Sequence, residues 1–269
     1  MKQLSHYLTA MRDQTPLVQN ITNYVAMNVM ANVMLAAGAS PAMVHARGEA
    51  AEFAGIAAAL SINIGTLDDE WADCMVLAAT AAAERGMPWV LDPVAVGATA
   101  LREEVAARLI ALRPTVIRGN ASEILALAGT VAQGSGADTG DSVAAAEGAA
   151  NRLAIQTGAV VAVTGAVDFV TDGRKAAHIA IGDPIMPLVT ALGCSLTGVV
   201  AAFVAADAPF EATVAALTYY GVAGEVAAET AHGPGSFQVA FIDALHAMTG
   251  DALDARARIA GVCSPRFVS

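Results

Sequence analysis

The sequence predicts a three-layer α/β/α fold, with a mostly parallel central sheet covered by helices on both faces and antiparallel strands at one edge. Three observations carry this. Short apolar, β-branched runs bounded by Gly or Pro alternate with helix-length, Ala-rich segments, the pattern of repeated βαβ units. Apolar residues make up 56% of the 269 residues and charged residues only 14%, which suits a large body around a deeply buried sheet. The stretch AVVAVTGAVDFVTDGRKAAHIAIG (Ala159–Gly182) instead packs strands around tight turns, a hairpin signature that places antiparallel strands at an edge.

In chain order the pattern gives strand Leu17–Ile21, helix Tyr24–Ala37, strand Ala42–His45, helix Glu49–Leu60 and strand Ser61–Ile64. Helix Asp68–Arg85 leads to strand Trp89–Asp92, which Pro93 stops, and helix Leu101–Leu112 leads to strand Val116–Arg118. Helices Ser122–Ala128 and Asp141–Gln156 precede strand Val160–Thr164, and the hairpin adds Phe169–Thr171 and His178–Ile181. After Leu192 the pattern is helical nearly to the end, and DALDARARIAGVCSPRFVS reads as a closing helix and tail. The polar stretch Gly129–Ser142 reads as a surface loop, because βαβ character continues on both sides of it. Residues 1–269 are therefore expected to form a single domain.

A formal net charge of −11 and the absence of a dense Lys/Arg cluster argue against a nucleic-acid partner. An anionic small molecule would need local attraction from backbone amides, a metal ion or a placed arginine. Cys74, Cys194 and Cys263 show neither CxxC metal spacing nor a disulfide framework, and a reducing cytoplasm fits them. The N-terminus is too polar for a signal peptide. The long uncharged runs are broken by Asn, Pro and Gly, so no membrane span of roughly twenty apolar residues is expected.

In open α/β sheets, ligands bind at the carboxyl ends of strands, and four such ends are unusually rich. In IRGNASEI (Ile117–Ile124), Asn120 and Glu123 resemble a helix capping box. Arg118 sits where a guanidinium could grip a phosphate, and Glu123 could alternatively hold a magnesium-bound water. In LDPVAVGAT (Leu91–Thr99), Asp92 is either a turn former or a carboxylate complementing a nearby metal. In VTGAVDFVTDG (Val163–Gly173), Thr164 and Gly165 form either a plain hairpin turn or a hydroxyl and amide offered to a phosphate. In VTALGCSLTG (Val189–Gly198), Gly193 permits close backbone approach and the helix beginning there exposes unpaired amides, an anion site. Cys194 lies at that helix start, where a thiolate is favoured. Cys74 and Cys263 read as small buried hydrophobes. Two anion devices, two carboxylates and a thiol on one edge describe phosphoryl transfer, although GxxxxGK[ST], the protein-kinase loops and a helix-opening GxGxxG are all absent.

Together with PLVQNITNYVAMN (Pro16–Asn28) and GASPAM (Gly38–Met43), these four motifs, in the same order over nearly the whole chain, resemble the hydroxyethylthiazole kinase family of the ribokinase-like superfamily. The resemblance implies a ribokinase-like fold and phosphorylation of the primary alcohol of 4-methyl-5-(2-hydroxyethyl)thiazole, with ATP and Mg2+, in thiamine salvage. It assigns Arg118, Thr164 and Gly165 to ATP, Asp92 and Glu123 to the magnesium and phosphate region, and Met43, Asn23 and Ala191 to the thiazole. Gly193 and Cys194 fall at the catalytic position, where sugar kinases of the superfamily carry an aspartate base. A cytoplasmic homotrimer with the pocket at a subunit boundary is also implied. Two departures stand out. The family usually reads TGTGC where this chain reads TALGC, and DPVGxGAT where Ala95 replaces a glycine. If position 191 needs a positive φ, its alanine is strained by roughly 1 kcal/mol or more. Two other readings remain: a related kinase for a hydroxymethylpyrimidine or sugar, and a non-catalytic thiazole or nucleotide sensor.

Overall fold

The computed structural model describes residues 2–132 and 143–263. Its elements run α1 (Leu4–Gln14), β1 (Leu17–Ile21), α2 (Met27–Ala37), β2 (Ser40–Ala42), α3 (Ala50–Ala54), β3 (Ala59–Asn63), α4 (Asp69–Glu84), β4 (Trp89–Asp92) and α5 (Ala100–Ile110). Then follow β5 (Val116–Asn120), α6 (Ala121–Ala132), α7 (Val143–Thr157), β6 (Val160–Thr164), β7 (Asp168–Thr171) and β8 (Ala176–Ile179). The chain closes through α8 (Leu192–Ala206), α9 (Pro209–Ala228), α10 (Pro234–Ala247), α11 (Gly250–Arg256) and β9 (Ile259–Cys263).

The described strands form one sheet in the order β2-β1-β3-β4-β5-β6-β7-β8-β9. Pairing is parallel from β2 through β6 and antiparallel from β6 to β9. Each sheet face has its own core. Val18, Ala59, Val90, Val116 and Val160 pack beneath α1, α2, α8 and α9, while Leu60, Ile62, Leu91, Ile117 and Val161 pack beneath α4 to α7. Strand side chains alternate between faces. Stepping by twos from the first set therefore puts Asn63, Asp92, Arg118 and Thr164 on the α8 face, each at or near the carboxyl end of its strand. The pleat alone brings four polar side chains to one edge. α8 lies nearly fully buried between the sheet and α9. Gly198 lets α2 approach it: a Cβ there would lie 2.5 Å from Met30 Cε and 2.6 Å from Met34 Sδ.

Several boundaries differ from the sequence expectation. The strand expected over Ala42–His45 is Ser40–Ala42, because Gly38 ends α2 at φ 103° and the chain turns at once to pair Ser40 with Leu17. Pro41 is tolerated because β2 is an edge strand. The helix expected over Glu49–Leu60 is only Ala50–Ala54, since Ala59 and Leu60 are drawn into the sheet beside Val18 and Gln19. The start of α2 is delayed to Met27 by a turn in which Asn23 Oδ1 accepts from the Ala26 amide at 3.0 Å. The last hairpin strand is Ala176–Ile179, two residues earlier than His178–Ile181. The closing segment is a larger correction: only Gly250–Arg256 is helical, and Ile259–Cys263 adds an antiparallel strand against β8. Of the expected loop Gly129–Ser142, residues 133–142 lie outside the described residues, and the first four belong to α6.

Candidate active site

The polar strand ends form one hydrogen-bonded chain. Cys194 Sγ accepts from Asn23 Nδ2 at 3.2 Å, and the same nitrogen donates to Asn63 Oδ1 at 2.9 Å. Asn63 Nδ2 donates to Asp92 Oδ2 at 2.7 Å, as does Thr197 Oγ1 at 2.8 Å. Arg118 Nη1 lies 3.4 Å from that oxygen and donates to the Gly193 carbonyl at 3.0 Å. Arg118 Nη2 donates to Thr164 Oγ1 at 2.7 Å. One network thus joins Asn23, Asp92, Arg118, Thr164, Gly193 and Cys194 across the carboxyl ends of β1 and β3 to β6 and the start of α8.

Local chain geometry makes this convergence possible. Gly65 has no room for a side chain, since its Cβ would lie 2.6 Å from Asn23 Cβ, and its bareness lets the loops after β1 and β3 close together. Arg102 ties that loop to the next by donating to the carbonyls of Ile64, Gly65 and Val94. The start of α8 has no side-chain cap, and Ala191 precedes it in the left-handed region. Four of a helix's first amides lack intrahelical acceptors. An uncapped helix start is thus a local source of positive potential. Tyr220 steadies this turn by donating its hydroxyl to the Leu192 carbonyl at 2.8 Å.

The electrostatics separate two roles. Asp92 is 1% exposed, and burial pushes its carboxyl up to about 6. Arg118 pulls it down, Glu123 pushes it up, and the Thr197 and Asn63 hydrogen bonds lower it. Ionised at neutral pH, it balances the guanidinium. The Cys194 thiol moves the other way from the sequence expectation. Burial, reinforced by Asp92, raises its pKa despite the Asn23 hydrogen bond and Arg118, so the helix start does not make it a thiolate. Arg118 Nε is buried with no protein acceptor.

The remaining expected residues sit around this network. Glu123 completes the capping box: its amide donates to Asn120 Oδ1 at 2.9 Å and its Oε2 accepts from the Asn120 amide at 2.8 Å. Its Oε1 also accepts the Ala95 amide at 3.0 Å, which couples the loop after β4 to the start of α6. Gly165 adjoins Thr164, but its amide donates to Asp168 Oδ1 at 2.9 Å. Met43 follows β2, at the outer flank beside β1, and packs against the α8-side core. Cys74 is the buried hydrophobe expected of it, at 2% exposed. Asn63, Arg102, Asp168, Thr197 and Tyr220 were not singled out from sequence. Asn63 was readable as a polar residue two places after Ser61 in an apolar strand, and Thr197 as the residue one turn after Cys194.

The model of the hydroxyethylthiazole kinase family matches residues 8–251. The chain belongs to the hydroxyethylthiazole kinase family. A hydroxyethylthiazole kinase of Cereibacter sphaeroides is 67% identical over 253 residues, covering 94% of this chain and 97% of the relative. The solved hydroxyethylthiazole kinase protein of Pyrococcus horikoshii is 40% identical, with a TM-score of 0.91 over 98% of this chain and all of that one. A ribokinase-like superfamily protein of Enterococcus faecalis shares the fold at 12% identity, with a TM-score of 0.61 over 87% of this chain and 88% of its own. The fold is ribokinase-like.

Family membership sharpens the two departures. Ala95 has φ 56° and Ala191 φ 67°, so both alanines stand in the left-handed region where the usual family residue, glycine, is unstrained. The penalty for a side chain there is roughly 1 kcal/mol or more, partly offset by alanine's smaller backbone entropy when unfolded. Ala95→Gly and Ala191→Gly are each expected to raise the melting temperature by about 1–2 °C. Differential scanning calorimetry reads this directly, and a fall in either variant would mean that its turn is not strained.

Proposed function

We propose that the protein transfers a phosphoryl group from ATP to the primary hydroxyl of 4-methyl-5-(2-hydroxyethyl)thiazole, a salvage step toward thiamine. Family membership supports the reaction. The observation that carries it to residues is the continuous path from the Cys194 thiol through Asn23, Asn63 and Asp92 to Arg118 and Thr164, beside an uncapped helix start.

In this reading Arg118 and Thr164 hold the nucleotide phosphates. The amides from Ala191 to Cys194 face the transferred group and stabilise charge developing on its oxygens. Asn23, Met43 and Ala191 receive the thiazole, and Cys194 orients the acceptor hydroxyl. Gly165 contributes its amide once Asp168 releases it. Magnesium would suit this site mainly through its bound waters, because both Glu123 oxygens and Asp92 Oδ2 already accept hydrogen bonds. Asp92 and Glu123 would hold the ion through its bound waters, as hydrated magnesium favours. The bound ion would supply charge neutralisation between phosphates. Among the described residues no helix is long and apolar enough to cross a membrane, and we assign the enzyme to the cytoplasm as a homotrimer, the assembly its family likeness implies.

An ADP-release assay across a panel of alcohols tests the reading. Turnover is expected with the hydroxyethylthiazole and little with the hydroxymethylpyrimidine. Preference for the pyrimidine would move the protein to the related kinase, and binding without ADP release would make it a sensor.

A further inference from the structure

The first turn of α8 is held from behind, one peptide plane at a time. None of the amides of Leu192, Gly193 and Cys194 has an acceptor among the described residues. The carbonyl at the other end of each of those peptide planes does have a side-chain donor. Ser195 Oγ donates to the Ala191 carbonyl at 2.8 Å, Tyr220 Oη to the Leu192 carbonyl at 2.8 Å and Arg118 Nη1 to the Gly193 carbonyl at 3.0 Å. A serine bonding back four residues is ordinary in a helix. The other two donors are tertiary and reach the turn from α9 and β5.

A trans peptide is planar, so its C=O and N–H point in opposite directions. A hydrogen bond on the carbonyl of one residue therefore aims the N–H of the next. This turn has few other restraints: Ala191 enters it at φ 67°, without glycine's freedom, and no side chain caps the helix. Ser195 is 0% exposed and Tyr220 3%, so each hydroxyl works from inside the core, out of reach of bulk water. Burial pushes the Tyr220 phenol far above its ordinary pKa, which keeps it a donor.

We propose that Tyr220 and Ser195 are positioning residues that fix the peptide planes whose N–H groups, those of Gly193 and Leu192, meet the transferred phosphoryl group. Arg118 does the same for the amide of Cys194. The inference rests on the phosphoryl-transfer reading above, in which Arg118 and Thr164 hold the nucleotide phosphates. Charge grows on the transferred oxygens only in the transition state, so misaligned amides slow the chemical step and leave ground-state binding alone.

Tyr220→Phe keeps the ring and removes the hydroxyl. Its kcat with hydroxyethylthiazole is expected to fall about ten- to a hundredfold, less than the roughly 10²–10³-fold lost when such an amide donor is removed outright. The KM values for ATP and the alcohol should stay within about twofold. Inhibition by ADP with aluminium fluoride, a mimic of the phosphoryl group in transfer, should weaken by the same factor as kcat, while affinity for a non-hydrolysable ATP analogue is unchanged. Tyr219→Phe is the control. Tyr219 also buries its hydroxyl on a backbone carbonyl, that of Leu245 at 2.6 Å, but in α10 and away from this turn. It is expected to lose melting temperature comparably and to keep the parent kcat. Ser195→Ala should cost about fivefold in kcat, because the Ala191 carbonyl keeps the Ser195 amide at 2.8 Å. That variant carries the test if Tyr220→Phe does not fold. Parent-like kcat in the folded variant, an equal loss in Tyr219→Phe, or a loss confined to KM would each overturn the assignment. A parent that releases no ADP with any alcohol would instead fail the reaction itself, and the inference with it.

Discussion

Arg118→Ala is expected to lower kcat/KM by about a thousandfold, the scale seen when a phosphate-binding arginine is lost, and to remove roughly 3 kcal/mol of stability. Both effects come from one position. The guanidinium reaches Thr164, the Gly193 carbonyl and Asp92 together, so its loss removes the side-chain links from β5 to the end of β6 and to the start of α8. It also strips a carboxylate that is 1% exposed of its ion-pair partner. Asn63 and Thr197 still donate to Asp92, which keeps the loss toward the lower end for a broken buried pair. The pH dependence follows from the sign of the shift. Asp92 has a folded pKa of about 6, above its unfolded value, so the native state loses stability as pH rises toward that value. Without Arg118 the folded pKa climbs further, and the deficit of the variant is greatest above it and shrinks as pH falls. Urea melts at pH 8 and pH 5 check this. Arg118→Lys keeps the charge without the fork, and should recover much of the stability and little of the turnover. Near-normal kcat/KM in Arg118→Ala would remove the nucleotide from this edge.

Much of this arrangement was legible beforehand because it follows from period and punctuation. Asp92, Arg118 and Thr164 were found by asking where apolar strands end, and the same rule aligned them on one face. Glu123 was legible as a capping box since both partners lie within four residues, and the bond to the Ala95 amide was not, since it joins separate loops. The same limit explains the missed strand Ile259–Cys263: its Gly261 and the preceding ARAR run give a poor local strand signal, and pairing with β8 creates it. The thiol was misjudged for a related reason. A helix start is visible in sequence, but the burial and the neighbouring Asp92 that outweigh it are tertiary. The positive φ at Ala95 and Ala191 was legible only through the family's glycines, as alanine itself carries no mark of a strained turn.

Cys194→Ser and Cys194→Ala are expected to retain turnover within about tenfold of the parent, the cost of one neutral hydrogen bond. A general base in this position would contribute about 10²–10⁴-fold, so the two roles are well separated. Burial and Asp92 hold the thiol protonated, and its Sγ accepts from Asn23 Nδ2, leaving its own hydrogen to point at an incoming oxygen. Serine keeps that donor and acceptor on a shorter bond, whereas alanine removes both. Turnover should therefore fall in the order cysteine, serine, alanine, mainly in kcat, with the KM for ATP unchanged because the proposed phosphate contacts, Arg118 and Thr164, are untouched. A loss beyond a hundredfold in Cys194→Ala, with ATP affinity intact, would assign proton removal to the thiol. The burial that raises its pKa would then be tuning a base rather than preserving a donor.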